Sequence, residues 1–360
     1  MKKVPKVLVC PLDWGIGHAT RCVPIIEQFR NAGFEVIIGA DQKPYHFLKK
    51  EFPNLKIVRF PGTKISYSAG ALLWLKMFLN VPRLLFGICK EHQRLKKIIK
   101  HEGIDVVFSD NRYGLWNKSV YSIFMTHQTN IQFPGRLKLF KGTANRINRC
   151  FINKFDRLWI PDFEDEQSIS GELSTTDSIS ILTKRIGVLS RFNEFALSDQ
   201  NKPIELLAIL SGPEPQRTLF EQKLVDKIKA LEIKATIIRG LPDLEEKSKK
   251  DNILYISHLD SESLANYINS AKTIICRPGY SSLMDLACLG VPAIIVPTPG
   301  QTEQEYLGKL MDEKKIHLSM NQDQLELEVA FDSISNYSGL NIKNNYVILA
   351  DELQQVFDLL

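Results

Sequence analysis

Two segments in the first half of the chain carry side chains suited to acid–base chemistry. The first, DWGIGH at 13–18, follows an apolar run, and its glycines Gly15 and Gly17 let the backbone turn tightly beside a ligand. It ends at His18, where a helix is predicted to begin, and a neutral imidazole there can accept a proton. Two other interpretations stay open: a helix-capping loop with an incidental histidine, and a dinucleotide-binding loop. In the latter, Thr20 stands where the motif needs a third glycine.

The second segment begins at Asp110, which follows another apolar run. Its carboxylate could orient the imidazole of His18, as in other base–orienter pairs, although an Asx turn or N-cap explains it equally well. His127 and Asn130 follow the next apolar run and add polar groups to the same rim. The predicted catalytic pair is therefore His18 and Asp110, with an acceptor side formed by Gly15, Gly17, His127 and Asn130.

The second half of the chain carries loops suited to an anionic ligand. Ser211 and Gly212 end an apolar run just before a helical pattern, and the N–H groups of a helix N-terminus can bind phosphate. A plain strand–helix turn is the alternative. The segment CRPGYSSLMDLA at 276–287 puts a glycine turn and paired serines at a helix start. Ser282 and Asp285 fit a capping box, and they equally fit a site for a diphosphate and a ribose.

Strand-like apolar runs alternate with helical patterns in both halves of the chain. This alternation predicts two α/β domains, each with a parallel sheet covered by helices on both faces. Ligands of such sheets bind at the carboxyl ends of the strands, where the polar segments above are found. The polar, Ser- and Thr-rich stretch after Pro161 predicts a boundary. The predicted division is a first domain at 1–162, a linker region at 163–200, a second domain at 201–345 and a C-terminal helix at 346–360.

Composition excludes several classes of function. The net charge of +5 suits an anionic ligand or membrane surface, and it is too small to indicate nucleic-acid binding without a reader motif. No two of the six cysteines have the spacing of a zinc or redox motif, which favours free thiols in a reducing cytosol. Neither a signal peptide nor a transmembrane helix is predicted. The absence of an Asp-x-Asp pair or a His/Asp cluster at the strand ends predicts no metal site.

The motifs spanning 277–306 resemble, in order and spacing, the nucleotide-sugar half of GT-B glycosyltransferases, and most closely the family 28 type. That family includes the N-acetylglucosaminyltransferase that forms lipid II and the diacylglycerol glycosyltransferases. The resemblance covers most of the chain and implies two Rossmann-like domains facing across a cleft. It further implies inverting, metal-independent transfer of a hexose such as N-acetylglucosamine from a UDP-sugar to a hydroxyl acceptor, lipid-linked or part of a cell-envelope glycan. No cofactor is implied, and the enzyme would be cytoplasmic or peripheral at the inner membrane face.

Site residues follow from the resemblance position by position. Asp285 falls on the ribose-binding carboxylate, one methylene shorter than the Glu of the family, and Leu259 falls where backbone groups contact the uracil. Gln304 and Glu305 fall on the pair that contacts the donor sugar, and His18 matches the histidine of the N-terminal glycine-rich loop. The predicted nucleotide-sugar site comprises Ser211, Gly212, Leu259, Arg277, Gly279, Ser281, Ser282, Asp285, Gln301, Thr302, Gln304 and Glu305.

Other functions occur on the same fold. A UDP-sugar hydrolase and a sugar-nucleotide 2-epimerase are alternative enzymes, and a non-catalytic nucleotide-sugar-binding protein is an alternative without chemistry. The combination of His18 with Asp110 argues against the last, because a binding protein needs no base.

A long helical pattern at 72–101 raises the question of a membrane surface. Beside Trp74 and Phe78, polar side chains recur at helical spacing, and Pro82 is expected to divide the helix. A basic stripe next to aromatic residues fits an anionic membrane, while a solvated face of a core helix is the other interpretation. The stripe consists of Lys76, Asn80, Arg83, Lys90, Arg94, Lys97 and His101.

Overall fold

The computed structural model describes residues 3–62, 73–133, 139–177, 179–195 and 202–360, without the side chains of 73–81 and 165. The described residues form two seven-stranded sheets in two α/β domains. The predicted fold class is therefore confirmed. Because the side chains of Trp74, Lys76, Phe78 and Asn80 lie outside this description, that part of the predicted membrane stripe is not described.

The first sheet has the strand order β3-β2-β1-β4-β5-β6-β7, and all of its strand pairs are parallel. Its buried strands are short apolar runs, as expected for a sheet covered on both faces. The strands are β1 (Lys6–Cys10), β2 (Glu35–Ala40), β3 (Lys56–Arg59), β4 (Val106–Asp110), β5 (Tyr121–Met125), β6 (Arg157–Ile160) and β7 (Leu182–Arg185). The helices of this domain are α1 (Ile16–Asn31), α2 (Gln42–Glu51), α3 (Leu73–Glu102) and α4 (Lys141–Ile152).

The second sheet has the order β10-β11-β9-β8-β12-β13-β14 and is parallel except for the exposed edge strand β10. Its strands are β8 (Ile204–Ile209), β9 (Ala235–Ile238), β10 (Lys247–Lys250), β11 (Ile253–Ile256), β12 (Ala271–Cys276), β13 (Ile294–Ile295) and β14 (Leu318–Ser319). The helices are α5 (Gln216–Ala230), α6 (Ser261–Asn269), α7 (Tyr280–Leu289), α8 (Thr302–Glu313), α9 (Leu327–Ser333) and α10 (Val347–Asp358).

Two features differ from the sequence-based expectations. Strand β7 lies inside the stretch 163–200 predicted as a linker, and it pairs with β6 through four residues, so the first sheet extends beyond residue 162. The sequence of β7 is mostly polar and its residues alternate between exposed and half-buried, so it does not form the apolar run by which buried strands are recognised. Helix α3 continues through Pro82. A proline removes one backbone hydrogen bond of a helix, and it can bend the helix without ending it.

The two domains share a buried interface. Helix α1 packs against α7 of the second domain and against α10, which returns to the first domain. There Glu352 of α10 accepts hydrogen bonds from Arg157 (2.7 Å) and Trp159 (3.0 Å). One apolar cluster runs through the interface and includes both Phe29 and Tyr280. None of the helices in the described part of the chain is long and apolar enough to cross a membrane.

Candidate functional site

The strand order determines where the site lies. In each sheet the strand order has a switch point, where successive strands begin to be added on the other side of the sheet. The switch point lies between β1 and β4 in the first sheet and between β8 and β12 in the second. The loops that leave these strands at their carboxyl ends border a crevice, where doubly wound sheets bind ligands. His18 lies in the first turn of α1 after β1, and Asp110 is the last residue of β4. Ser211 and Arg277 follow β8 and β12.

His18 and Asp110 are in direct contact. Nδ1 of His18 lies 3.0 Å from Oδ2 of Asp110, which is fully buried. The guanidinium of Arg21, one turn further along α1, donates to both carboxylate oxygens, through Nε at 2.9 Å to Oδ2 and through Nη2 to Oδ1. Burial alone would raise the pKa of Asp110, but Arg21 and His18 lower it well below its usual value. The carboxylate is therefore ionised at neutral pH.

The tautomer of His18 follows from these partners. Nδ1 lies within hydrogen-bonding distance of both the Asp110 carboxylate (3.0 Å) and Nη2 of Arg21 (2.9 Å). We assign the proton to Nδ1, because its bond to the carboxylate of Asp110 is charge-assisted. Nε2 then carries a free lone pair on a side chain that remains 21% exposed. A general base requires this arrangement.

His127 has both ring nitrogens engaged. Since an arginine can only donate, Nη1 of Arg21 donates to Nδ1 of His127 (3.1 Å), which leaves the proton on Nε2. Nε2 donates to Oε1 of Glu303 in α8 at 2.8 Å. Burial lowers the pKa of His127, and its ring stacks on that of Tyr280 with centroids 3.9 Å apart. With no free nitrogen, His127 is a weaker candidate for the base than His18.

The remaining acceptor-side residues differ in how accessible they are. A Cβ added to Gly15 would meet no atom within 4 Å, so this glycine borders open space. The carbonyl of Gly17 accepts a hydrogen bond from Oγ of Ser281 across the cleft (2.7 Å). The amide of Asn130 donates to the carbonyl of Glu172 (3.0 Å) and accepts from Asn145 (2.8 Å). Asn130 is thus part of a loop network in this structure.

The predicted phosphate loops lie at helix starts. Ser211 and Gly212 lie between β8 and α5, and Gly212 has a φ of 102°, a conformation that favours glycine. Gly279 is the N-cap residue of α7, and Ser281 and Ser282 lie in its first turn with partial exposure. Backbone N–H groups of such turns are available for an anion.

Asp285 lies in α7 beside two residues that follow the first sheet. Its Oδ1 accepts a hydrogen bond from Oγ of Ser190 (2.6 Å), and burial raises its pKa to about 6. The positive charge of Arg191 opposes this rise in the pKa of Asp285. The guanidinium carbon of Arg191 lies 5.4 Å from the ring centre of Phe47. Its Nε and Nη1 are buried and have no hydrogen-bond partner. Unpaired buried donors of this kind are unusual in proteins, and they mark Arg191 as a candidate anion ligand.

The segment predicted to contact the uracil lies against the first domain. Leu259 is partly buried and precedes Asp260, whose carboxylate caps α6 by accepting from the N–H of Ser263 (2.7 Å). Burial and the charge of Arg191 lower the pKa of His258 to about 4, so that its ring is neutral. This ring packs edge-on against Phe47 of α2.

Several residues of the predicted nucleotide-sugar site form hydrogen bonds with the loop at 296–301. Arg277 is buried and donates to the carbonyls of Val296 (2.8 Å) and Pro297 (3.0 Å) and to Gln322. Oε1 of Gln304 accepts from the N–H of Thr298 (2.8 Å).

The remaining members of this loop make similar contacts. Glu305 accepts from the N–H of Gly300 (2.8 Å), and Gln301 is the N-cap residue of α8. Thr302 donates to the carbonyl of Gln132 in the first domain (3.4 Å). Each of these bonds engages one polar atom of Gln304, Glu305 or Thr302, and their contacts with a sugar stay predictions.

Three functional candidates were missed from the sequence: Arg21, Arg191 and Glu303. Arg21 lies three residues after His18, a spacing that places both on one helical face and could have indicated their proximity. Arg191 was hidden in the polar stretch predicted as a linker. Glu303 reaches the site only through the packing of the two domains. Among the residues that the structure describes, no group of three or more His, Cys, Asp or Glu side chains is placed to hold a metal ion.

Comparison with known proteins identifies glycosyltransferases among the proteins similar to this chain. Residues 217–336 match the family model described as glycosyltransferase family 28 C-terminal domain. A Methanosarcina mazei protein named as an uncharacterized glycosyltransferase is 24% identical over 334 residues, covering 86% of this chain and 84% of that protein.

Two further relatives extend the comparison. A Flavobacterium psychrophilum protein is 24% identical over 313 residues, which cover 79% of this chain and 81% of that protein. It is named UDP-N-acetylglucosamine–N-acetylmuramyl-(pentapeptide) pyrophosphoryl-undecaprenol N-acetylglucosamine transferase. The crystal structure of Acinetobacter baumannii MurG superposes with a TM-score of 0.55 at 15% identity, covering 98% of this chain and 99% of that one. The structural likeness shows a shared fold.

Proposed function

We propose that this chain, a GT-B glycosyltransferase of the family 28 type, transfers a hexose from a UDP-sugar to a hydroxyl acceptor with inversion and without a bound metal. One observation carries the proposal. The His18–Asp110 pair and the N-terminal turn of α7 lie on opposite sides of one cleft, joined by the bond between Ser281 and Gly17 (2.7 Å). A base and an anion-binding helix terminus are thus adjacent, as displacement of a diphosphate requires.

The proposed transfer is a single displacement. The acceptor oxygen attacks the anomeric carbon on the face opposite the diphosphate, and Nε2 of His18 takes the hydroxyl proton. The bond between the anomeric carbon and the diphosphate oxygen breaks, and UDP leaves with the bonding electrons. Asp110 stabilises the imidazolium that forms, while the N–H groups of the first turn of α7 and of the loop at Ser211 stabilise the leaving diphosphate.

The substrate classes are inferred from the relatives. The Flavobacterium psychrophilum protein is named for a UDP-N-acetylglucosamine donor and a pyrophosphoryl-undecaprenol acceptor. We infer the same classes here, a UDP-hexose and a lipid-linked hydroxyl, for an enzyme working on the cytoplasmic face of a membrane. The unpaired N–H groups of Arg191, which lies beside Asp285, suit the phosphates and hydroxyl groups of such a UDP-hexose.

A transfer assay tests the function. Purified protein is incubated with UDP-N-acetylglucosamine or other UDP-hexoses and an undecaprenyl-diphosphate-linked acceptor or diacylglycerol, with EDTA present. We expect acceptor-dependent UDP release and a product of inverted anomeric configuration by NMR. Equal UDP release without acceptor would instead identify a hydrolase, formation of a 2-epimer an epimerase, and binding without turnover a sensor. Turnover that EDTA abolishes and Mg²⁺ restores would contradict metal independence.

The donor site can be tested at Asp285. We expect Asp285→Ala to weaken UDP-sugar binding by about 1–3 kcal/mol, a factor of roughly 5–150, because a charged acceptor of ribose hydroxyl bonds is lost. Isothermal titration calorimetry with UDP-N-acetylglucosamine measures this change. The matched control is Ser190→Ala, which removes the internal bond to Asp285 but keeps the carboxylate. Equal losses in both variants would show that Asp285 acts only as a structural partner of Ser190.

A membrane-facing surface is proposed on the first domain. Helix α3 exposes Leu85 and Phe86, at 43% and 62%, and Lys90 stacks on Phe86 at 4.6 Å. Leu139, two residues before α4, is 88% exposed, and Ile147 within α4 is 52% exposed. Trp116 lies between these helices. Its ring centroid is 4.5 Å from that of His92 in α3, and Nζ of Lys154, just beyond α4, lies 5.1 Å from it. Apolar side chains interleaved with cations suit an anionic lipid surface.

Vesicle sedimentation tests this surface. We expect the protein to bind vesicles containing phosphatidylglycerol more strongly than pure phosphatidylcholine vesicles, and binding to weaken with salt because screening reduces the attraction. Replacing Phe86 and Leu139 together with Ser should reduce binding. Val329→Ser, which changes an exposed apolar residue (56%) of the second domain, is the control. Equal binding by both variants would contradict the proposed surface.

A further inference from the structure

A continuous series of side-chain contacts crosses the cleft from the catalytic pair to the second domain. It runs from Asp110 to Arg21 (Nε to Oδ2, 2.9 Å), from Arg21 to His127 (3.1 Å), and from His127 to Glu303 of α8 (2.8 Å). We propose that Glu303 is a positioning residue, whose contact with His127 couples closure of the cleft to the geometry of the His18–Asp110 pair. The proposal rests on the proposed function, in which His18 is the base.

Arg21 is the rigid junction of the series. Its side chain is 1% exposed, and each of its three guanidinium nitrogens has a partner. Two nitrogens bind Asp110, and the third binds His127. Because the guanidinium is planar, its donors have fixed relative directions, so that a shift of His127 must disturb the bonds to Asp110. The position of the catalytic carboxylate therefore depends on His127.

Glu303 determines the tautomer that this junction needs. Nδ1 of His127 can accept from Arg21 only if its proton is on Nε2, and Glu303 is the acceptor that holds the proton there. Without Glu303, the buried ring can place its proton on Nδ1, where it would face the N–H of Arg21. Two donors facing each other repel, and Arg21 would have to turn away. A residue of the second domain thus maintains a hydrogen bond within the first.

Other contacts across the cleft do not have this effect. The hydroxyls of Ser281 and Tyr280 donate to the backbone carbonyls of Gly17 and Pro161, both at 2.7 Å. The pair of Lys50 and Glu245 lies at the exposed rim. These bonds hold the domains together without touching the side chains of the catalytic pair. The ring of Tyr280 also stacks on that of His127, but stacking does not select a tautomer, whereas the bond from Nε2 of His127 to Glu303 does.

The first experiment measures the tautomer of His127 by NMR in protein labelled with ¹⁵N-histidine. The His127 signals are assigned by comparison with His127→Gln. We expect the Nε2–H tautomer in the wild type and in Glu303→Gln, because the amide oxygen of Gln can still accept the bond. In Glu303→Ala we expect the Nδ1–H tautomer or a mixture. An unchanged His127 signal in Glu303→Ala would overturn the proposal, whatever activity the enzyme has.

The second experiment measures where the loss appears in the kinetics. We expect Glu303→Ala to lower kcat by about 10- to 100-fold, as is usual for losing the partner that orients an imidazole, with donor affinity unchanged. Glu303→Gln should retain most of the wild-type kcat. The control is Glu313→Ala, which removes an exposed carboxylate from the same helix.

A double variant separates this role from direct contact with the donor. In the His18→Ala background there is no base to position, so Glu303→Ala should lower kcat no further. A further loss of equal size, or weaker donor binding, would overturn the proposal in favour of direct donor recognition by Glu303. If no transfer is found with any acceptor, the proposed function fails, while the tautomer experiment still decides whether the coupling exists.

Discussion

Replacing His18 with Ala is expected to lower kcat by about 10²–10⁴-fold, the usual contribution of a general base, with little change in UDP binding. The reason is geometric. Nδ1 of His18 faces the ionised carboxylate of Asp110 at 3.0 Å, which leaves Nε2 on the partly exposed side of the ring as the proton acceptor. Steady-state kinetics with saturating UDP-sugar and acceptor measures the loss, and calorimetry with UDP confirms that the donor site is intact.

Two further variants test the assignment. Asp110→Asn should lower kcat less than His18→Ala, because the amide can still accept a hydrogen bond but does not stabilise an imidazolium. His127→Ala should also retain more activity than His18→Ala, since both nitrogens of His127 are already bound to Arg21 and Glu303. If His18→Ala retains near-normal turnover while His127→Ala is inactive, the base is His127 and the pair must be reassigned.

The contact between His18 and Asp110 was predictable because it depends on strand order. His18 and Asp110 follow β1 and β4, two apolar runs that are easily recognised in the sequence and neighbours in the sheet. Parallel strands bring their carboxyl ends to one edge, so a polar residue after each run is expected near the other. The resemblance to family 28 implied two α/β domains, which the structure confirms, and residues 217–336 match the C-terminal domain of that family.

Glu303 was missed because its contact depends on packing across the two domains. No spacing in the sequence indicates that Glu303 meets His127, because the orientation of the two domains brings them together. Arg277 illustrates the opposite case. The motif at 276–287 placed Arg277 in the predicted nucleotide-sugar site, but its guanidinium is buried on loop carbonyls. Only the packing of residues 296–301 decides between these roles.

Replacing Arg21 with Met should destabilise the fold as well as the site. The substitution removes the cation that binds both oxygens of the buried Asp110 and leaves His18 as the main remaining partner of the carboxylate. Breaking a buried ion pair from one side typically lowers the free energy of unfolding by about 3–5 kcal/mol, because an uncompensated charge stays buried. Chemical denaturation at pH 7 measures the change. The double variant Arg21→Met, Asp110→Asn should recover part of the loss, because its buried side chain is neutral.

The pH dependence of this loss identifies its cause. In the wild type the pKa of Asp110 is lowered below its unfolded value, so its contribution to stability is present above that value and disappears as the pH falls through the folded pKa. In Arg21→Met, burial without the cation should raise the pKa of Asp110 above its unfolded value. Protonation then favours the folded variant at low pH, and this benefit is lost as the pH rises through the raised pKa. The stability difference between wild type and variant should therefore be largest near neutral pH and shrink on acidification. A difference that stays constant from about pH 4 to 8 would mean that Arg21 stabilises the fold by packing and not by charge.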